Sequence, residues 1–350
     1  MNNFVKEIMN LIINNGYEVY IVGGYVRDYL LNKKSNDYDL CTNCNINSLK
    51  KILCNYKYTI KFNTVSIIHD EINIEITPYR KEIKYFNRKP IEYELVNDLQ
   101  EDLYRRDFTI NSICMDVNSN IIDLLNGKSD INKKIIRGIG DNNKKITEDP
   151  LRILRAFRFS ATTNFDIEEN LMKSIIINKE LLRSLSYERK KEEIDKIIDI
   201  HGLDILKPVS DILDIDLSNI KYYKSKILTW INIDYLNKYC TSKKDKSIIN
   251  SIKIMSDEGI NNYTVYKYGL YISSLLGELY NIDTISIYNS NSIKSRKDIN
   301  ITSEEIIMII EDEKYTEKYY ELIEKAILNN DIKNTYTDIV NCIRKNMFKN

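Results

Sequence analysis

Residues 19–42 read VYIVGGYVRDYLLNKKSNDYDLCT. The apolar run at 19–22 predicts a short strand that ends at Gly23 and Gly24. Val26, Leu30 and Leu31 follow at helical spacing, with Arg27 and Asp28 among them. A polar turn then leads into Asp37, Tyr38 and Asp39, followed by Leu40 and Cys41. The pattern is strand, glycine turn, helix, turn, strand. Alternate residues of a strand project from one face, so Asp37 and Asp39 point at one spot. Two carboxylates held together repel unless something neutralises them. Magnesium suits that role, because it binds carboxylate, water and phosphate oxygens. The glycine pair lets backbone approach a ligand closely. The N-terminus of the next helix offers N–H groups to phosphate, and Arg27 adds a forked donor. One short stretch can therefore supply a metal seat and a triphosphate cradle. An Asp-x-Asp pair alone also describes ordinary exposed aspartates. The glycines and Arg27 ahead of it decide for the site.

The chain has 350 residues, enough for two or three domains, and 43% of them are hydrophobic. Its 51 basic and 51 acidic side chains cancel, so any surface for a polyanion must be local. Of the six cysteines, Cys41 and Cys44 form one CxxC, with no second pair to complete a zinc site. Reduced thiols in a cytoplasmic protein are the simpler reading. Only His69 and His201 are present, which argues against a histidine base. The N-terminal MNNFVKEIMNLIINNG reads as a short amphipathic helix rather than a signal peptide, and no stretch is long enough to span a membrane.

Residues 1–140 mix helix and strand signals. Residues 48–54 read as a helix, and 58–61, 65–68 and 72–77 as strands. In the last of these Ile74 and Ile76 face one way and Glu75 the other. Glu75 is either a third metal-site acid or part of a solvated strand face. The charged segment RKEIKYFNRKP, 80–90, reads as a mobile loop. Past residue 141 helical spacing dominates to the end.

Residues 147–161 read TEDPLRILRAFRFSA. Pro150 suits a first helical turn, capped by Asp149 or Thr147. On a helical wheel Asp149, Arg152 and Arg155 share one stripe, which Arg158 continues, opposite Ile153, Leu154 and Phe157. The stripe is either a set of solvated ion pairs or a device for reading bases. Cytosine and adenine both present an amino donor beside a ring-nitrogen acceptor. A carboxylate accepts and an arginine donates. Asp149 with Arg152 can thus accept C and A and reject U and G, with no nucleic-acid template.

The segments GGYVRDYLLNKKSNDYDL, KFNTVSIIHDEINIEITPYR, DLYRRDFTINSI, EDPLRILRAFRFSA and SYERKKEEI, in this order, span about residues 18–195. Together they resemble the class II tRNA nucleotidyltransferases, which add CCA to tRNA 3′ ends, and their bacterial poly(A) polymerase relatives. The resemblance implies an α+β nucleotidyltransferase head with a polymerase-beta-like mixed sheet at 1–140. It implies a helical neck with the base-reading helix at 141–200, then an all-α body and tail at 201–350 that bind tRNA. It implies Asp37 and Asp39 as ligands of Mg2+ and Glu75 as a third catalytic carboxylate. It implies Gly24, Arg27 and Arg106 as nucleotide contacts, Asp149 and Arg152 as base readers, and Arg155 and Arg158 as further contacts. Arg189 and Glu193 match a helix-stabilising motif. The expected reaction is attack of the tRNA 3′-hydroxyl on the α-phosphorus of CTP or ATP, with two metal ions about 3.5–4 Å apart.

Asn32 departs from the glycine usual at its position in the family. Residues 221–253 carry Lys221, Lys224, Lys226, Lys238, Lys243, Lys244, Lys246 and Lys253 against Asp234 and Asp245. Tyr222, Tyr223, Trp230, Tyr235 and Tyr239 lie between them. That mix suits phosphate contacts with stacking, or a solvated face over core aromatics. The alternatives on the same scaffold are an enzyme that adds only A or only CC, or a poly(A) polymerase. A non-catalytic RNA-binding homologue and a small-molecule nucleotidyltransferase stand further off.

Overall fold

The structure, a computed structural model, describes residues 1–86, 89–234, 236–240 and 242–347. The chain forms two compact units, Met1–Ser218 and Asn219–Asn350.

The first unit opens with helix α1 (Asn3–Asn14), whose Asn2 side chain caps the Phe4 N–H and which buries Val5, Ile8, Met9 and Ile12. Then come β1 (Val19–Val22), α2 (Gly24–Leu30), β2 (Asp37–Thr42) and α3 (Ile46–Ile52). Strands β3 (Tyr58–Lys61), β4 (Thr64–His69) and β5 (Ile72–Pro78) follow, then β6 (Arg80–Phe86) and β7 (Lys89–Leu95). Helix α4 (Leu99–Tyr104), a 3₁₀ turn at Thr109–Asn111, β8 (Cys114–Met115) and β9 (Ile121–Ile122) complete the strand-rich part. The mixed sheet has the order β3-β4-β5-β2-β1-β8-β9. Its β2–β5 pair is parallel and the other pairs are antiparallel.

Strict alternation makes this sheet two-faced. Ile21, Leu40, Val65, Ile67, Ile74 and Ile76 are buried on one face, while Asp37 and Asp39 stay open on the other. Farther along the carboxylate face, Val22, Cys41, Tyr79, Leu103 and Cys114 form a small core. All six cysteines are free thiols, and Cys41 and Cys44 are buried. His69 stacks on Phe4 with ring centroids 4.2 Å apart.

The segment read as a mobile loop is instead a hairpin, with β6 and β7 paired antiparallel. Its charges hide the strand signal, because Ile83, Tyr93 and Leu95 carry the β propensity between them. Residues 87 and 88, inside that expectation, lie outside the described residues.

Helices α5 (Gly127–Lys133), α6 (Asn142–Glu148), α7 (Leu151–Thr163), α8 (Glu169–Asn178), α9 (Tyr187–Ile198) and the short α10 (Ser210–Leu213) complete the unit. Strand signals do not wholly end at 141: β10 (Ile135–Ile136) pairs in parallel with β11 (Asp166–Ile167). Helix α7 buries Ile153, Leu154, Ala156 and Phe157 and leaves Arg152, Arg155 and Arg158 half-buried, as the wheel requires. The Asp149 carboxylate accepts from the Leu151 N–H at its start. Thr147 turns away and donates to the Asn143 carbonyl.

The second unit is helical: α11 (Lys226–Ile233), α12 (Lys243–Glu258), α13 (Asn262–Tyr280), α14 (Thr284–Ser290), α15 (Ser303–Ile310), α16 (Thr316–Leu328) and α17 (Tyr336–Met347). Helix α13 bends at Gly269, whose φ is +75°. The unit has two cores, one around Leu228, Ile252, Met255 and Leu276 and one around Ile306, Ile323 and Ile339. Trp230 and Tyr239, read as possible stacking aromatics, are wholly buried and stack on each other at 4.6 Å. Asp234 is buried too and accepts the N–H groups of Lys238 and Tyr239. Lys221, Lys224, Lys226, Lys243, Lys244, Lys246 and Lys253 are exposed, Lys238 is half-buried, and Tyr235 lies outside the described residues. No helix among the described residues is long and apolar enough to cross a membrane.

Candidate active site

Asp37 and Asp39 project from the open face of β2, and Glu75 lies directly across from Asp39 on β5. All three are exposed. Protein atoms nonetheless displace water from the Asp39 carboxyl, and this pushes its pKa up; Arg106 opposes the shift, Asp37 adds to it and Arg155 opposes it. Glu75 is raised by the same loss of water, then by Asp39 and Asp37. The three acids thus repel one another across two strands. Among the described residues no three His, Cys, Asp or Glu side chains gather into a metal-binding group. The pair on β2 is the candidate donor set, and its charge bears on Glu75 beside it.

The glycine turn is built against this pair. Gly23 has φ +84°, and a Cβ there would lie 3.1 Å from Asp39 Oδ2. Both the backbone conformation and the close approach require glycine. Gly24 begins α2.

Beside Asp39 opens a cleft of about 480 Å³. Gly24, Arg27, Asp39, Arg106, Asp149, Arg152, Arg155 and Arg158, all expected site residues, line it together. Asp37 and Glu75 lie on the sheet outside that lining. Gly23, Glu82, Arg105, Asp107, Asn111 and Phe159 complete it, so six arginines face four carboxylates. An excess of arginine in a half-enclosed space suits a polyanion.

Each arginine is held in place. Arg27 Nη2 bonds Asp28 at 2.8 Å and its Nη1 donates to Asn111 Oδ1 at 2.8 Å. Asp102, wholly buried, holds Arg105 Nε at 2.8 Å and Arg106 Nη2 at 3.2 Å, and its second anchor is the Arg80 N–H. Burial works against ionisation of Asp102, but Arg106 and Arg105 outweigh it and hold its pKa down. Arg155 Nε donates to Asp107 at 2.7 Å. Burial would raise the Asp107 pKa, yet Arg155 and then Arg152 hold it down at about 2. Arg158 pairs with Glu193 at 2.6 Å. The ring of Phe159 lies beneath three of these cations, with Arg158 4.0 Å, Arg27 5.2 Å and Arg155 5.3 Å from its centroid. Two buried donors on the cleft, Arg106 Nε and Arg152 Nε, have no protein partner. Unpaired buried donors of this kind are costly unless a ligand meets them.

Across its whole length the chain is 30% identical to a CCA-adding enzyme of Staphylococcus haemolyticus, over 99% of this chain and 98% of the relative. The chain belongs to the CCA-adding enzyme family. A CCA-adding enzyme of Lactococcus lactis is likewise 30% identical, over 97% of this chain and 96% of the relative. Residues 19–137 match the poly A polymerase head domain. In three dimensions the fold matches that of the Bacillus stearothermophilus CCA-adding enzyme solved with CTP. The TM-score is 0.83 at 22% identity, over 99% of this chain and 97% of that one.

Several members of this family site were not read from the sequence. Asp102 precedes Arg105 and Arg106 by three and four residues in DLYRR, a helical ion-pair spacing that carried the signal. Asp107 accepts from the Phe108 N–H, but its main partner is Arg155, 48 residues on. Asn111 and Phe159 each meet Arg27 from more than 80 residues away, a link with no local signal, although Phe159 also lies within one turn of Arg155 and Arg158 on α7. The motif residues Arg189 and Glu193 do not pair with each other. Arg189 bonds Glu192, and Glu193 is spent on Arg158.

Proposed function

We propose that this protein is a tRNA nucleotidyltransferase that adds C, C and A to the tRNA 3′ end from CTP and ATP, without a nucleic-acid template. One observation carries the reading: Asp39, the glycine turn and the acid–arginine pair Asp149 and Arg152 border a single arginine-lined cleft. Relatives named CCA-adding enzymes over nearly the whole chain support it.

Arg27, Arg105 and Arg106 are placed to bind the triphosphate, with Arg106 Nε and Arg152 Nε offering unpaired donors. Asp149 accepts from the exocyclic amino group of C or A, and Arg152 donates to the adjacent ring nitrogen. With U or G each group meets its own kind, which leaves buried polar atoms unsatisfied. Arg152 is oriented for this by its bond to the Arg105 carbonyl, and Asp149 by the Leu151 N–H. Arg155 and Arg158 complete the nucleotide wall.

Asp37 and Asp39 fit a divalent cation: they are two same-face carboxylates, and Asp39 is raised first by loss of water and further by Asp37. Magnesium is bound in such sites through one or two carboxylates plus substrate phosphates. When bound, it would supply activation of the acceptor hydroxyl and neutralisation of charge on the leaving oxygen. Glu75 is the third acid of this assignment. Positioning and charge, rather than a covalent nucleophile, carry the rate. We assign 1–140 as catalytic head, 141–200 as neck and 201–350 as the tRNA-binding body and tail.

The test is primer extension on tRNAs ending before CCA, after C and after CC, with CTP, ATP, both, or UTP and GTP. Extension by C, C and A and then a stop establishes the reading. A addition alone, CC addition alone, or untemplated A runs would replace it with the corresponding relative. Asp37→Ala should abolish extension and leave tRNA binding nearly intact.

A further inference from the structure

The arginine cleft occupies only one side of Asp39. Strand β1 pairs Val22 with Asp39 and runs into Gly23, and the cleft opens from there. On the other side β5, β4 and β3 continue the carboxylate face into open surface. The register sets two rows on it. Asp39, Glu75, Ser66 and Thr59 lie side by side, and next to them run Asp37, Asn73 and Ile68. Ile68 is 76% exposed, although it is a large apolar side chain, and it lies just past the end of the β3–β4 pairing. Neither the Ser66 hydroxyl nor the Asn73 amide has a protein hydrogen-bond partner among the described residues.

Phosphoryl transfer places the attacking and leaving oxygens roughly in line across the phosphorus. If the triphosphate lies over the glycine turn and the arginines, its pyrophosphate leaves on the β1 side of Asp39. The attacking hydroxyl must then come from the β5 side. We propose that the open face of β5 and β4 seats the 3′-terminal nucleotide of the RNA acceptor. Ile68 packs on the terminal base, and Asn73 and Ser66 hydrogen-bond its ribose or base edge. Stacking on an apolar side chain accepts any base, as an acceptor end that changes at each addition requires. Neutral hydrogen-bonding groups also suit a seat beside three acids, because they add no charge to the Asp37, Asp39 and Glu75 cluster. This seat rests on the function proposed above.

The experiment measures KM for tRNA lacking its CCA end and for CTP, in the wild type, Ile68→Asp, Ser66→Glu and Asn73→Ala. Ile68 is so exposed that its replacement leaves the fold intact, which thermal unfolding checks. In Ile68→Asp and Ser66→Glu the acceptor KM should rise about fivefold or more, with CTP affinity by equilibrium dialysis unchanged. In the wild type, a photoreactive base at the acceptor's 3′ terminus should cross-link to residues 64–73. Unchanged acceptor KM in both charged variants, a parallel loss of CTP affinity, or cross-links confined to other segments would overturn the seat alone. A wild type that extends no RNA would overturn the proposed function, and the seat with it.

Discussion

Asp107 Oδ2 accepts a hydrogen bond from Arg155 Nε at 2.7 Å, joining the segment after α4 to the middle of α7. Helix α7 is thereby fixed relative to the sheet that carries Asp37 and Asp39. Arg152 adds a second link through the Arg105 carbonyl and Lys145 a third through the Tyr104 carbonyl. Three cations from α6 and α7 thus meet three residues of the short segment 104–107.

Asp107 makes this junction acid-sensitive. Its folded-state pKa of about 2 lies below the ordinary 3.8. A depressed carboxylate stabilises the fold fully above pH 5 and loses that contribution as pH falls through 3.8 towards 2. The stability difference between the wild type and Asp107→Asn should therefore shrink by ~1 kcal/mol between pH 6 and pH 3. Urea unfolding at the two pH values measures it. A difference that stays constant would show that Asp107 carries no pH-linked stabilisation.

Gly23→Ala should be far more damaging than Gly24→Ala. At Gly23 the added Cβ meets Asp39 Oδ2 at 3.1 Å, and φ is +84°. At Gly24 it meets only Arg27 Nη2 at 3.8 Å, an ordinary contact. A misplacement of about 1 Å in a reacting geometry can cost about 10²-fold in rate. The expected signature for Gly23→Ala is a fall in kcat of about that size, with a smaller change in KM for CTP. Equal effects at both glycines would remove the special role given to the 23–39 contact.

What the sequence made legible was what period and spacing encode. The two-residue repeat of Asp37 and Asp39, the alternation of β5 around Glu75 and the stripe of α7 all reappear as faces in the structure. The links between distant segments were not legible. Asp107 with Arg155, Glu193 with Arg158 and Phe159 with Arg27 join residues that no local pattern relates. The hairpin at 80–95 was missed because its charges masked the strand residues between them. Trp230 and Tyr239 misled in the opposite direction. Aromatics among lysines read equally as a stacking surface or a core, and only packing decides between them.

Base choice should fail in a defined way when Asp149 or Arg152 is truncated. Both line the cleft, and both belong to the start of α7 rather than to the sheet. Asp149→Ala and Arg152→Ala should each lower the ratio of CTP to UTP incorporation by about tenfold or more, since a polar pocket rejects wrong partners through unpaired groups. Single-nucleotide extension with each of the four triphosphates reads this out. Loss of CTP use without any gain in relative UTP or GTP use would mean that the pair binds nucleotide without reading its base.

The exposed lysines of the second unit separate an RNA surface from a merely solvated one. Lys243 and Lys244 are the first two residues of α12, ahead of Asp245, whose N–H the Ser242 hydroxyl caps. Positive charge at a helix N-terminus opposes the helix dipole. Their presence therefore does nothing for the stability of α12. Reversing Lys243, Lys244 and Lys246 to glutamate should leave the unfolding free energy unchanged or slightly raised, by roughly 0.3–1 kcal/mol per favourable charge. The same triple variant should bind tRNA more weakly, and the slope of log K against log salt should flatten by about two to three. Trp230→Ala is the contrast: it empties a buried stack and should cost about 3–5 kcal/mol of stability. Weaker binding in a helix that has become no less stable places RNA phosphates within reach of this charge. Unaltered binding and salt slope in the triple variant would assign these lysines to solvent and move the tRNA surface elsewhere on the chain.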